Sequence, residues 1–386
     1  MVVGFGQCGG RIAAEFVRLG LRAHVERSIE VVTDAFAVNT DTADLTGLSY
    51  IKPGYDHRIV VGLRNTGGHG VGKVNELAAA IVKEEADKVL EAIGKVKLLE
   101  DTDAFIVAAS GAGGTGSGSL PVFVKNLKDR FPNKPVYGLI VLPFRHEESS
   151  EERSVFNTAV CLKSAYLVAD AIFLVDNQRF VRKGMPIGHN LSKINSLVVE
   201  PFYNLLCAGE EKRPEFIGSR TLDAGDIIQT LAGWTVIGHS SMHVSSPRFA
   251  LSGKHFRQKA SEAQECVQVM HSALGDLSAK CNPKDASRAL YLLSAPALKM
   301  EVEMVGELGI TLKQFAPNAV VRSGDYPRTR QSLEVEVILS ELTNITRVNE
   351  LFNRAITYIA NQKTRKGKNS EHLQLETSFT DIPSLI

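Results

Sequence analysis

Between a short apolar run and an amphipathic stretch the chain reads Ala109-Ser110-Gly111-Ala112-Gly113-Gly114-Thr115-Gly116-Ser117-Gly118. Five of the eight residues from Gly111 to Gly118 are glycine. The run before them, Ala104–Ala109, has the composition of a buried strand, and the residues after them, to about Phe131, follow a helical pattern. Flexible linkers rarely occupy such a junction. A glycine loop there removes Cβ atoms from the path of an anion, and the first N–H groups of the helix have no carbonyl partner. The helix dipole adds roughly half a unit of positive charge at the same end. Thr115 and Ser117 contribute hydroxyls. A side chain at Gly114, as in Gly114→Val, is expected to stand in the phosphate path and abolish binding. No Gly-Lys-Ser/Thr follows, which excludes the Walker-type P-loop. The loop therefore predicts an α/β domain that holds phosphate with its backbone.

The surrounding pattern agrees. Short apolar strands are expected at Val2–Phe5, Asp34–Asn39, Arg58–Val61, Ala104–Ala109, Pro135–Leu142 and Ala171–Val175. Helices are expected over Gly9–Leu19, Val74–Ile93 and about Glu148 to Leu167. This alternation implies a parallel sheet covered on both faces. Ser192–Ala208 reads as one long apolar helix, kinked or broken at Pro201. Beyond Leu231 the strands Trp234–His239, Ala289–Leu293, Ala319–Arg322 and Leu333–Leu339, with helices Arg257–Leu277, Lys299–Leu312 and Arg347–Ala360, predict a smaller α/β domain. Residues 361–386 read as a mobile tail.

Bulk properties narrow the class. A chain of 386 residues is long for one core. No apolar run reaches the ~18 residues of a membrane span, and the first residues lack the features of a secretion signal. Cys8, Cys161, Cys207, Cys266 and Cys281 are scattered and form no CxxC pair, which suits reduced thiols in a cytoplasm and neither a disulfide framework nor a zinc site. A net charge of +1 gives no sign of nucleic-acid binding. His146-Glu147-Glu148 is not a zinc-protease motif. His69 beside glycines reads as a loop residue.

A second glycine segment, Gly4-Phe5-Gly6-Gln7-Cys8-Gly9-Gly10, follows the first strand and matches G-x-G-x-x-G. Alone it fits a Rossmann-type NAD(P) oxidoreductase, with Asp41 after the second strand as the ribose acid. That reading leaves Gly111–Gly118 without a task. The segment Gly111–Gly118 resembles the GGGTGSG loop of the tubulin/FtsZ family. Gly6-Gln7-Cys8-Gly9 resembles the first nucleotide loop of tubulins, and Asn39-Thr40-Asp41 the second loop of FtsZ. Gly68-His69-Gly70-Val71-Gly72 and Arg322-Ser323-Gly324-Asp325-Tyr326-Pro327 resemble segments of the archaeal CetZ group. The likeness runs from Val2 to about Ala360.

The resemblance implies an α/β fold of a GTP-binding domain (1–180), a central helix with a catalytic loop (181–230), a C-terminal GTPase-activating domain (231–360) and a flexible tail (361–386). It implies GTP or GDP as nucleotide, with Mg²⁺ mainly on phosphate oxygens and no metal ligand assigned in the chain. Gly6, Gln7, Cys8, Gly10, Gly70, Gly111, Gly113, Gly114, Thr115 and Gly116 would then cradle phosphate. Glu147, in Pro143-Phe144-Arg145-His146-Glu147, would bind ribose hydroxyls. Asn177 would lie near base or ribose, and Asn195 would read the base, with Leu191 and Asn39 beside the nucleotide. An Asn amide suits guanine because it both donates and accepts. Capping or turn roles are the alternative for Asn177 and Asn195. Arg11 stands where relatives carry Asn, Gln or Lys, so it could meet base or phosphate; Arg153 receives no role.

Thr221-Leu222-Asp223-Ala224-Gly225-Asp226 resembles the loop that reaches into the neighbouring subunit of a filament, with Thr221 where FtsZ has Asn. Asp223 and Asp226, three apart, can share one side of a helical turn and polarise a water against the γ-phosphate. Asp223 is equally well placed as a helix N-cap. The implied partner is the chain itself, in a head-to-tail homopolymer, and the implied role is cytoskeletal: cell shape, motility or division. Direct membrane insertion is not expected. A GTP-binding regulator that does not polymerise is the main alternative.

Overall fold

The computed structural model describes residues 1–181, 187–244, 256–297, 300, 302–365 and 382–386. The chain forms two compact units. The first comprises Met1–Leu21, Val32–Val199 and Ile345–Ile386, and the second Arg22–Val31 and Glu200–Asn344.

The first unit holds β1 (Val2–Phe5), α1 (Gly6–Arg27, as far as Leu21), β2 (Ala35–Asn39), α2 (Thr42–Thr46), β3 (Arg58–Val60), α3 (Leu63–Thr66) and α4 (Asn75–Gly94). It continues with β4 (Phe105–Ser110), α5 (Thr115–Arg130), β5 (Val136–Leu142), α6 (Arg145–Ser150), α7 (Glu152–Tyr166), β6 (Ala171–Asp176), α8 (Asn177–Phe180) and α9 (Ile187–Val199). The strands run in the order β3-β2-β1-β4-β5-β6, and every pairing is parallel. β1, β2, β5 and β6 are buried along their whole length, as an all-parallel sheet covered on both faces requires. α4, α5 and α7 pack side by side, and α5 lies against β1, β4 and β5.

The second unit holds α10 (Phe202–Glu210), α11 (Ala224–Thr230), β7 (Gly233–His243), α12 (Phe256–Gly275), β8 (Arg288–Pro296), α13 (Val302–Phe315), β9 (Val320–Arg328) and β10 (Ser332–Leu342). The strand order is β7-β10-β8-β9, with β10 antiparallel to both β7 and β8, and β8 parallel to β9. α12 packs on β7 and β10, and α13 on β9. The chain then returns to the first unit as α14 (Thr346–Arg365), which packs on α7.

One expected break is present and two elements differ from expectation. The helix read over Ser192–Ala208 is broken at Pro201 as its missing N–H requires, giving α9 and α10 parted at Glu200-Pro201. The helix expected from Glu148 to Leu167 breaks at Glu151, whose φ of −151° and ψ of 101° are extended. Last, Ile382–Ile386 are not free: Ile382 is buried, its carbonyl accepts from Lys163 Nζ, and Leu385 N donates to Ser164 Oγ at 3.0 Å. Residues 361–365 continue α14, while 366–381, with Lys366 and Lys368, and Lys299 lie outside the described residues.

Candidate functional site

β1 and β4 are neighbours, with β2 and β3 beyond one and β5 and β6 beyond the other. The crevice outside the carboxyl ends of strands at such a switch point is where open α/β sheets take ligands. Both glycine loops start there, since Gly6 follows Phe5 and Gly111 follows Ser110. They touch: Gly6 has a φ of +71°, and a Cβ on it would stand 3.2 Å from Gly116 N. Gly10 is buried one turn into α1.

No backbone carbonyl among the described residues accepts from the N–H groups of Gly113, Gly114, Thr115 or Gly116 at the head of α5. These are the donors an anion needs. Two sequence readings change. A Cβ on Gly114 would meet Val71 Cγ2 at 2.6 Å and Lys73 Cα at 2.7 Å, so its cost falls on the third loop and not in the phosphate path. A Cβ on Gly113 would meet nothing within 4 Å. Ser117 is wholly buried and turns its hydroxyl back onto the Gly113 carbonyl, where it cannot serve an anion. The Thr115 hydroxyl pairs with that of Thr40 at 2.6 Å.

The second and third loops are sewn to each other. Gly70, at φ +78°, donates its N–H to Thr40 O at 3.1 Å, and Thr42 N donates to Gly68 O at 3.1 Å. Asp41 and His69 form an antiparallel bridge, and His69 is exposed. Asp41 Oδ1 caps α2 by accepting from Ala43 N at 2.9 Å and Asp44 N at 3.3 Å, which commits the acid that a dinucleotide site would need for ribose. Asn39 is buried; its Oδ1 accepts from Thr40 N at 2.8 Å, and its Nδ2 donates to Asp44 Oδ2 at 3.0 Å. Gln7 Nε2 donates to the other oxygen of Asp44 at 2.8 Å. Asn39 thus shapes the turn from behind, while Gln7 is exposed.

Sequence reasoning missed the brace beneath these loops. Asn157 on α7 is wholly buried. Its Nδ2 donates to Lys73 O at 2.9 Å and lies 3.3 Å from Gly113 O and 3.4 Å from Ala112 O, so one amide ties the third loop to the glycine loop. Its Oδ1 accepts from Arg153 Nε at 3.1 Å. Arg153 also reaches Asn75 Oδ1 at 3.2 Å and pairs with Glu76. The available signal was a run of polar residues, Ser154, Asn157 and Thr158, inside a helix that buries every residue from Ser154 to Ala165.

At the edge of the cradle, Glu147 is half-buried and its Oε2 accepts from Phe144 N at 3.0 Å. Gln178 Oε1 accepts from Arg145 N at 3.2 Å, which links α6 to α8, and Asp176 caps α8 through Gln178 N at 3.1 Å. Asn177 is half-buried at the first position of α8, and α8 packs on α9, which carries Asn195, also half-buried. Leu191 lies in α9, but its side chain is outside the described residues. Arg11 is exposed. Burial pushes the Cys8 thiol up to about 12, with the Arg11 charge opposing and the Glu147 charge assisting. That thiol is neutral at physiological pH, although part of the residue is accessible.

In the second unit Asp223 and Asp226 meet at the head of α11. Asp223 is exposed, and its Oδ1 accepts from Asp226 N at 2.9 Å, so the N-cap reading is realised. Arg322 Nε lies 3.3 Å from Asp226 Oδ1. The rest of the Arg322–Pro327 segment holds the same loop. Ser323 Oγ accepts from Arg220 Nη1 at 2.7 Å; Asp325 accepts from Ser219 N at 2.9 Å and Arg220 N at 2.6 Å. A Cβ on Gly324 would stand 2.6 Å from Leu222 Cβ. The segment read as a subgroup likeness is thus the template on which the acidic loop is built.

Comparison with known proteins agrees with this fold. The model of the Tubulin/FtsZ family GTPase domain matches residues 1–184, and that of the tubulin-like CetZ C-terminal domain matches 184–357. Tubulin-like protein CetZ1 of Haloferax volcanii is 32% identical over 372 residues, covering 92% of this chain and 91% of that protein. The CetZ of Thermococcus kodakarensis is 28% identical over 396 residues, covering 100% of this chain and 94% of its own. The structure of H. volcanii CetZ1 as a GDP-bound monomer superposes with a TM-score of 0.79 at 30% identity, over 93% of this chain and 98% of that one. CetZ2 of the same organism, as a GTPγS-bound protofilament, gives 0.80 at 26% identity, over 94% and 98%. GTP hydrolysis is the chemistry of the matched GTPase domain. With that domain, a CetZ C-terminal domain and a near full-length relative at 32% identity, the chain belongs to the tubulin/FtsZ family, among its tubulin-like CetZ proteins.

Proposed function

We propose that this chain binds GTP at the loops of its first unit, polymerises head to tail, and hydrolyses GTP with Asp223 and Asp226 supplied by the adjoining copy. The observation that carries this reading is chemical. The phosphate cradle consists of backbone N–H groups, the Thr115 hydroxyl, held by the buried Thr40, and a neutral Cys8 thiol. Two carboxylates on its loops already have tasks: Asp41 Oδ1 caps α2, and Asp44 accepts from the amides of Gln7 and Asn39. Such a cradle stabilises charge on phosphate, and in this reading the group that orients the attacking water comes from the adjoining copy. The exposed Asp223 and the Arg322-anchored Asp226 have the required chemistry, on a loop of the second unit. A heterologous contact that repeats between identical copies brings one to the other and gives an open filament. A relative at 26% identity was seen as a GTPγS-bound protofilament.

In this reading Gly6, Gln7, Cys8, Gly10, Gly70, Gly111, Gly113, Gly114, Thr115 and Gly116 line the phosphates. Glu147 takes the ribose, Asn177 the base or ribose, Asn195 the base, Leu191 belongs to the same nucleotide set, and Arg11 reaches base or phosphate. Asn39 supports the second loop. Mg²⁺ neutralises phosphate charge when bound; in this reading the ion is carried mainly by phosphate oxygens. Loss of the γ-phosphate at the contact weakens it. The cellular setting is the cytoplasm, and the role is in cell shape, motility or division. No helix among the described residues is long and apolar enough to cross a membrane. The test is the GTP hydrolysis rate per subunit against protein concentration, with light scattering recorded in parallel. A rate that rises above a threshold concentration, together with scattering, is expected. A flat rate without scattering would replace this reading with a GTP-binding regulator that does not polymerise.

A further inference from the structure

Glu148 follows the ribose candidate Glu147 and is 1% exposed. An unpaired buried carboxylate costs several kcal/mol, and here α14 supplies its partners. Arg347 Nη1 lies 3.3 Å from Glu148 Oε2, and Arg347 Nη2 pairs with Oε1. Arg354 Nη1 pairs with Oε2, and its Nη2 donates to Glu148 O at 3.1 Å. Arg347 Nη2 also donates to Pro143 O at 3.3 Å. The helix therefore grips both ends of the segment Pro143–Glu148.

Arg347 reaches a second segment as well. Its Nε lies 3.7 Å from Asp176 Oδ2, the residue that caps α8 and precedes Asn177. The Arg347 side chain is 4% exposed. Burial lowers its pKa to about 10, with the Arg145 charge acting in the same direction, and the guanidinium stays charged at neutral pH. One buried cation thus joins the ends of β5 and β6, where ribose and base contacts are assigned. The join matters because Glu147 Oε2 accepts from Phe144 N at 3.0 Å, which ties the carboxylate to its own loop while Oε1 can still accept a ribose hydroxyl. Where that oxygen stands depends on the backbone of Pro143–Glu148, which Arg347 and Arg354 hold.

We propose that Arg347 is a positioning residue for sugar recognition, fixing Glu147 against Asn177 so that the site distinguishes ribose from a sugar without hydroxyls. This rests on the ribose role of Glu147 given above. The full chain and the variants Arg347→Met, Arg347→Lys and Glu147→Gln are titrated calorimetrically with GDP and with 2′,3′-dideoxy-GDP. Circular dichroism and a thermal transition establish folding, and if Arg347→Met does not fold, Arg347→Lys carries the test. In Arg347→Met, GDP is expected to bind at least ~10-fold more weakly while dideoxy-GDP changes less than ~2-fold, so the preference collapses. Arg347→Lys, with one donor centre in place of a planar fork, is expected to lose part of the preference. Equal weakening toward both nucleotides would mean that the arginine merely fastens α14, and would overturn the proposal. If Glu147→Gln keeps the full preference, the ribose reading itself falls. If Glu147→Gln loses it and both arginine variants keep it, only the inference about Arg347 falls.

Discussion

Asn157→Ala is the perturbation whose outcome the structure specifies most fully. The amide is wholly buried. Truncation removes the 2.9 Å bond to Lys73 O and the 3.1 Å bond from Arg153 Nε, and it leaves the Gly113 and Ala112 carbonyls, at 3.3 and 3.4 Å, without their shared donor. At about 1 kcal/mol net for a neutral bond and about 2 kcal/mol for one to a charged donor, the loss is about 3 kcal/mol. Part of this cost is global stability and part is the geometry of two loops that meet phosphate. If about half falls on the loops, nucleotide affinity drops by about tenfold, since ~1.4 kcal/mol is a factor of ten. Calorimetric titration with GDP measures the affinity, and thermal unfolding of the nucleotide-free protein measures the remainder. Asn157→Asp sharpens the test: it keeps the acceptor for Arg153 but turns a carboxylate oxygen toward three carbonyl oxygens. It should therefore bind GDP more weakly than Asn157→Ala. GDP affinity within about twofold of the parent in Asn157→Ala, or an aspartate variant that binds better than the alanine one, would refute the brace.

Other perturbations follow from the same geometry. Gly113→Ala meets no protein atom and should leave the melting temperature of the free protein unchanged while weakening GDP binding; Gly114→Ala drives a Cβ into Val71 and Lys73 and should lower both, as thermal shift with and without GDP will show. Asp223→Ala should keep GDP binding, slow hydrolysis by at least ~100-fold and prolong polymer lifetime, consistent with loss of a water-orienting group; Arg322→Ala, which frees Asp226, should slow hydrolysis less and leave affinity intact. His239 lies in the second unit beside Glu336 at 3.2 Å. Burial alone would lower its pKa, but the Glu336 hydrogen bond and the Glu336, Glu334 and Glu200 charges raise it above 6.5. The raised value means that this pair stabilises the fold fully below pH 6.5 and loses its contribution as pH rises through the folded value. His239→Gln should remove that part of the pH dependence of the urea midpoint.

What the sequence made legible was local. A glycine loop between a buried strand and a helix announces itself because few other structures use it, and the strand-helix alternation around it led to a parallel sheet. Asp223 could be read two ways, and the structure realises the cap without removing the carboxylate from solvent. What stayed hidden depends on contacts distant in sequence. Asn157 acts on Lys73, 84 positions away; its polar neighbours Ser154 and Thr158 mark a buried polar site but do not name that partner. The break at Glu151 follows Ser149 and Ser150 but lies within a helical pattern, and Lys73 pairs with the Glu151 side chain from another loop. The Arg322–Pro327 segment carried a family likeness, but its task became visible only when β9 was seen beside Ser219, Arg220 and Leu222. Arg347 read as an ordinary helix residue until Glu148 and Asp176 were found on either side of it.

The shared active site is tested most directly by mixing two inactive proteins. Asp223→Ala combined with Asp226→Ala lacks the acidic loop but keeps its phosphate cradle; Gly114→Val, by driving a branched side chain into Val71 and Lys73, displaces the third loop from the cradle but keeps the acids. Each alone should hydrolyse GTP at background rate. If one copy completes the site of the next, the equimolar mixture recovers activity, because the intact cradle of one meets the intact acids of the other, and the recovery grows with total concentration. If the mixture stays at background at every concentration while both proteins are folded and the acid-loop variant binds GTP, each chain works with its own residues and the head-to-tail account is wrong.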